Sequence, residues 1–200
     1  MKLIIFLILA LLSLSSWGSQ TYVMVGISGL GTGENGKGQP SGAHDNLPSD
    51  KKIVERILLT RHAGADDLEK VIDSLECDRG LSQPERPGLM IMVNSWGSQN
   101  GYRLAKLYKE RCHEEVDFYV AVDGVSSILI KPFSKKVPAK KCMNFYQTKS
   151  TVNGGPIDGC QNMDLSDLCE KGGIATCHID TEWNGSRMGA NEIKSFLKYK

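Results

Sequence analysis

Residues 88–108, GLMIMVNSWGSQNGYRLAKLY, constrain this chain more than any other stretch. Five apolar residues run unbroken from Leu89 to Val93 into Asn94, Ser95, Trp96 and Gly97. A continuous apolar run bounded by glycine reads as a strand buried on both faces. Beyond it Leu104, Ala105, Leu107 and Tyr108 recur at helical spacing, so a helix is expected over 98–111. The chain must therefore turn from a buried strand into a helix at Ser95. A serine there has two readings: it caps the helix, a position serine favours, or it is a nucleophile presented at a strand end.

The same pattern repeats along the chain. Strands are expected at 21–27 (TYVMVGI), 56–61, 116–122 (VDFYVAV), 142–147 and 173–179 (GIATCHI). Residues 66–77 are an amphipathic helix with Leu68, Val71, Ile72 and Leu75 on one face, and a closing helix over 190–197 turns Ile193, Phe196 and Leu197 inward. A short helix is expected to begin at Pro48 and lead into the second strand, while 28–49 and 123–141 read as loops. Apolar strands alternating with helices imply an α/β fold: a three-layer, doubly wound, mostly parallel sheet of about five or six strands with helices on both faces. In such a sheet, chemistry is sought beyond the carboxyl ends of the strands. Those ends carry Ser28-Gly29, Arg61-His62, Asn94-Ser95, Asp123 and, near the last, His178.

The N-terminal twenty residues, MKLIIFLILALLSLSSWGSQ, carry one lysine, an apolar run from Leu3 to Leu12 and small residues at Ser16 and Gly18. This is the pattern of a secretory signal peptide over 1–18, its apolar run too short to span a bilayer. It leaves 19–200 as a single domain. A length of 200 residues, with 40% hydrophobic and 24% charged, suits one domain with a real core. The formal net charge of +1 gives no reason to expect a nucleic-acid partner, and no integral membrane segment is expected after signal removal. The expected location is secreted or periplasmic.

Export implies an oxidising compartment for Cys77, Cys112, Cys142, Cys160, Cys169 and Cys177, an even number. No C-x-x-C pair occurs, which argues against a zinc site or a thioredoxin-like site. The expected disulfides are Cys77–Cys112 at two helix ends, Cys160–Cys169 across a local loop, and Cys142–Cys177 between late strands. No metal and no cofactor is implied.

A serine, an aspartate and a histidine fall in that order at three strand ends: Ser95, Asp123 and His178. A serine hydroxyl is a weak nucleophile until an imidazole accepts its proton and a carboxylate orients that imidazole. Among the four histidines, His44 lies in a loop and His113 at a charged helix end, which favours His178 as the base. Asp123 is the expected acid, with Asp158 in GGPIDGC as the alternative.

Val93-Asn94-Ser95-Trp96-Gly97 resembles the nucleophile elbow of the α/β-hydrolase family, whose usual form is G-x-S-x-G. Ser28-Gly29-Leu30-Gly31 is similar to that family's glycine-rich oxyanion loop, and Asp123-Gly124 resembles the acid position of its lipase-like members. The resemblance implies oxyanion donors at Trp96 and in the first loop at Leu30 or Gly29. It implies a reduced, cutinase-sized esterase or lipase-like enzyme acting on a small acyl ester, lipid or amide. Two departures stand out: Val93 occupies a position usually small, and 123–141 lacks the expected crossover helix.

Other patterns compete. A hydrolase-like domain that only binds a ligand or partner is the alternative that Val93 supports. The segment 58–64, LLTRHAG, is similar to the strand-end Arg-His of histidine phosphatases, with Arg103 and His178 as possible partners. Gly31, Gly33 and Gly36 satisfy G-x-G-x-x-G, but Pro40 follows where a helix should open. Lysines at 131, 135, 136, 140 and 141 form a basic run, read as a solvated loop.

Overall fold

The computed structural model describes residues 20–29, 42–77, 86–126, 131–169 and 176–200. The expected signal peptide, Leu30 and the glycines at 31, 33 and 36 lie outside the described residues. In chain order the elements are β1 (Tyr22–Ser28), α1 (Gly42–Asn46), β2 (Ile53–Thr60), α2 (Ala65–Ser74), β3 (Gly88–Asn94), α3 (Gly97–Cys112) and β4 (Phe118–Val122). A short antiparallel pair follows, β5 (Val125–Ser126) with β6 (Lys131–Pro132), then β7 (Cys142–Tyr146), β8 (Gln161–Asp164), a 3-10 turn (Ser166–Leu168) and α4 (Thr176–Lys198).

Six strands form one parallel sheet in the order β2-β1-β3-β4-β7-β8. Burial follows the order. Every residue of β1, β3 and β4 is buried, whereas no residue of the edge strands β2 and β8 is. Successive strand residues point to opposite faces, and β1 supplies both halves of the core accordingly. Val23, Val25 and Ile27 join Leu68 and Ile72 of α2 and Leu104 and Tyr108 of α3 in one cluster. Tyr22 and Met24 join Ala43 of α1 and Ile193 and Leu197 of α4 in the other.

The chain steps from β1 outward to β2, then returns to place β3 on the opposite side of β1. Neighbouring parallel strands whose connections leave in opposite directions open a crevice at their carboxyl ends. Gly29 follows β1 and Ser95 follows β3, so both stand at that crevice.

Four expectations are corrected. The strand placed at 173–179 does not form: Thr176–Lys198 is helix, so His178 arrives on the first turn of α4. Its buried stripe is Thr181, Gly185, Gly189, Ile193 and Leu197, mostly small residues. A Cβ on Gly185 would press on Val122 and Phe145, so the small residues let the helix lie close on the sheet. The sixth strand is instead β8, a polar edge strand. The helix expected from Pro48 does not form: residues 47–52 are coil and turn leading into β2, and α1 lies instead at Gly42–Asn46, inside the stretch 28–49 expected to be loop. Among the disulfides Cys77–Cys112 forms, but the others are Cys142–Cys160 and Cys169–Cys177, not Cys160–Cys169 and Cys142–Cys177. Pairing of β7 with β8 puts Met143 beside Gln161 and so brings Cys142 and Cys160 together. Cys177, starting α4, is left to the loop cysteine Cys169.

Among the described residues no helix is long and apolar enough to cross a membrane, and no helix lies between β4 and β7. Part of the basic run is neutralised: Lys140 pairs with Asp117 at 2.8 Å and Lys141 with Glu192 at 3.5 Å.

Candidate active site

Ser95 follows β3 directly and adopts φ 52°, in the left-handed region that a residue with a side chain enters at a cost of about 1–2 kcal/mol. Hydrogen bonds on both sides hold it there. Its N–H donates to Val122 O at 3.0 Å, and its carbonyl accepts from Ser98 N at 3.2 Å and Val125 N at 3.2 Å. Two glycines make the turn possible. A Cβ on Gly97 would strike the carbonyl of Ile27, and one on Gly29 would lie 2.9 Å from Ser95 Oγ. The side chain does not cap α3: Trp96 is the N-cap residue and the helix has no side-chain cap. Ser95 Oγ instead meets His178 Nε2 at 2.8 Å.

His178 Nδ1 lies 2.5 Å from Asp123 Oδ2. Asp123, fully buried immediately after β4, also has positive φ, 44°. Its carboxylate accepts three further hydrogen bonds: from Gln147 Nε2 at 2.8 Å, Gln147 N at 3.2 Å and Gly154 N at 2.5 Å. A carboxylate surrounded by donors on both oxygens is fixed in rotation, and it fixes the imidazole with the Nδ1 proton facing it. Nε2 is left to face the serine. Asp158, the alternative acid, is exposed and has no part in this array.

Glu182, one helical turn after His178, places Oε1 3.3 Å from the same Nε2. Burial is the largest influence on the imidazole and favours its neutral form. The hydrogen bonds to Asp123 and Glu182, with the two negative charges, outweigh burial and raise the His178 pKa from 6.5 to about 9. The Cys169–Cys177 disulfide anchors the turn that carries His178.

Gln147, Gly154 and Glu182 escape a reading of the sequence for nucleophiles and bases. Glu182 was legible only as the i+4 neighbour of His178, once that residue is helical. Gly154 has a steric reason: its Cβ would lie 2.6 Å from Asp123 Oδ1.

The remaining expected residues lie as follows. Trp96 is half-buried beside Ser95, as the N-cap residue of α3. Gly29 packs against Ser95, and Leu30 lies outside the described residues. His44 Nε2 bonds to Leu59 O at 2.7 Å, and His113 ends α3 with φ 55°. His178 is committed to Ser95 and Asp123, so it does not join Arg61 and His62 in a phosphatase-like site. Among the described residues no cluster of side chains could hold a metal ion.

No protein-family model matches the chain, and no curated protein matches it.

What the site can do follows from its geometry. A buried hydroxyl faces an imidazole whose other nitrogen is held by a buried carboxylate, so the base can take a proton from the serine and stabilise the charge it gains.

Proposed function

We propose that the protein is an exported serine hydrolase of α/β-hydrolase type that cleaves acyl esters through an acyl-enzyme. The observation that carries this reading is the continuous array Ser95–His178–Asp123, with 2.8 Å and 2.5 Å between its polar atoms. Its chain order and the parallel sheet agree with the same reading.

In the reaction Ser95 Oγ attacks the ester carbonyl carbon while its proton passes to His178 Nε2. Asp123 stabilises the imidazolium without taking the proton. The carbonyl oxygen becomes an oxyanion, which accepts hydrogen bonds from the N–H of Trp96 and from that of Gly29 in the first loop. Losing one such donor typically costs about 10²–10³ in rate. Collapse of the intermediate breaks the carbonyl–oxygen bond, and His178 returns its proton to the departing alcohol. Water then attacks the acyl carbon as His178 takes its proton, and the bond to Ser95 Oγ breaks as His178 returns that proton to the serine, releasing the acid.

The expected leader and three disulfides support a secreted or periplasmic location. Val93, the feature that favours a binding protein without activity, packs against α3 where Gly101 lacks a side chain, so it does not argue for a distorted site. The test is hydrolysis of p-nitrophenyl esters of several chain lengths by the purified protein and by Ser95→Ala. Turnover lost in the variant supports the reading; no turnover of any ester by the folded protein contradicts it.

A further inference from the structure

A second polar cavity opens beside the candidate active site, at the carboxyl end of β2. It has a volume of about 270 Å³ and is lined by Arg61, His62, Trp96, Gln99, Asn100 and Arg103. Trp96 belongs to both places: its backbone follows Ser95, and the residue lines this cavity. No acidic side chain is among the lining residues, although two guanidinium groups are.

Those guanidinium groups are organised from within the fold. Asn100 is 4% exposed, and its Nδ2 donates to the carbonyls of Arg61 at 3.0 Å and Ala63 at 3.2 Å. Its Oδ1 accepts from Arg103 Nη1 at 3.4 Å. One buried amide thus pins the backbone that carries Arg61 and orients Arg103. Arg61 spans the remaining space, with its guanidinium carbon 5.8 Å from the centre of the Trp96 ring and its Nε donating to His62 Nε2 at 3.1 Å. A guanidinium is always a donor, so His62 accepts through Nε2 and carries its proton on Nδ1.

Two guanidinium groups that line one cavity without an acidic neighbour in it suit one class of ligand, a compact oxyanion. We infer that the cavity between Arg61 and Arg103 binds a carboxylate or phosphate group carried by the substrate that Ser95 attacks. This inference rests on the proposed hydrolase reading for its link to Ser95, while the anion site itself does not. An anchored charge beside the nucleophile selects anionic esters over neutral ones of equal length. Arg61 and Arg103 are then specificity residues, and Asn100 positions them.

Two measurements separate this inference from the hydrolase reading. In the first, kcat/KM is compared for p-nitrophenyl butyrate and the p-nitrophenyl monoester of glutarate. The anionic ester is expected to be preferred, and Arg61→Gln/Arg103→Gln to reduce the ratio of anionic to neutral kcat/KM by about tenfold or more. Ser95-dependent hydrolysis with the ratio unchanged in the double variant overturns the inference and leaves the hydrolase intact. In the second, glutarate and methyl phosphate are titrated separately at constant ionic strength while Trp96 emission is read as the difference from Trp96→Phe. A saturable change with either anion, absent from the double variant, supports the site even if no ester is cleaved, and it tells carboxylate from phosphate. No saturable change with either anion overturns it.

Discussion

Val93 occupies the space that a side chain on Gly101 would need. Both residues are buried, one in β3 two positions before Ser95 and the other in the second turn of α3. A Cβ on Gly101 would strike Val93 Cγ1 and lie 2.7 Å from the Tyr119 hydroxyl. The elbow therefore keeps a branched residue where a small one is usual because the helix gives way.

Gly101→Ala should destabilise the fold although alanine favours helix. The helical gain is about 1 kcal/mol, and overpacking a filled core costs about 1–3 kcal/mol. Trimming the partner should restore part of the loss, so Val93→Ala/Gly101→Ala should be more stable than the two single losses predict. Urea unfolding of the four proteins checks this, and strict additivity would contradict the contact.

The pKa of about 9 at His178 sets opposite pH trends for activity and stability. A general base must be neutral, so kcat/KM should rise with pH to a midpoint near 9. Stability runs the other way. The folded pKa lies above the unfolded value of 6.5, so this residue's contribution is complete below 6.5 and is lost as pH rises through 9. Glu182→Gln removes one raising charge and should move the kcat/KM midpoint to lower pH. A midpoint unmoved by that substitution would mean Glu182 does not govern the base.

Asp123→Asn puts an amide among four hydrogen-bond donors. The backbone N–H groups of Gln147 and Gly154 demand an acceptor at Oδ1, so the amide oxygen sits there and the amide nitrogen faces His178, imposing the wrong tautomer. Activity should fall by about 10⁴, the scale of that change in a serine protease triad, and stability by about 1–3 kcal/mol. Asp158→Asn should leave both unchanged. Steady-state rates and thermal unfolding of the two variants distinguish these outcomes.

Cys169→Ser/Cys177→Ser frees the first turn of α4. Loop-closure entropy for a separation of 8 residues puts the loss near 2–3 kcal/mol. Because that turn carries His178, activity should fall at temperatures where the variant is still folded. Circular dichroism and turnover measured across the same temperature range check it; parallel loss of both would leave the disulfide a purely stabilising role.

The sequence was most legible where burial is continuous. β1, β3 and β4 carry apolar residues on both faces, and the serine and aspartate ending β3 and β4 follow from that. α4 was illegible as a helix at its start because its buried face is Thr181, Gly185 and Gly189, which leave no apolar period to read. β8 has the sequence QNMD and owes its existence to pairing with β7 rather than to any pattern of its own. Two disulfides depended on that pairing, so their connectivity was hidden too. The donors around Asp123 come from loop residues whose approach is set by tertiary packing, and nothing local announces them.

The central claim is that Ser95 is activated by His178. The direct measurement is covalent labelling by a fluorophosphonate, read by intact mass and peptide mapping. The folded protein should take up one label, on Ser95, with none after heat denaturation. Ser95→Ala and His178→Ala should remain folded and unlabelled, since one lacks the nucleophile and the other its base. A folded wild type that does not label, or a label that persists in Ser95→Ala, would contradict the account.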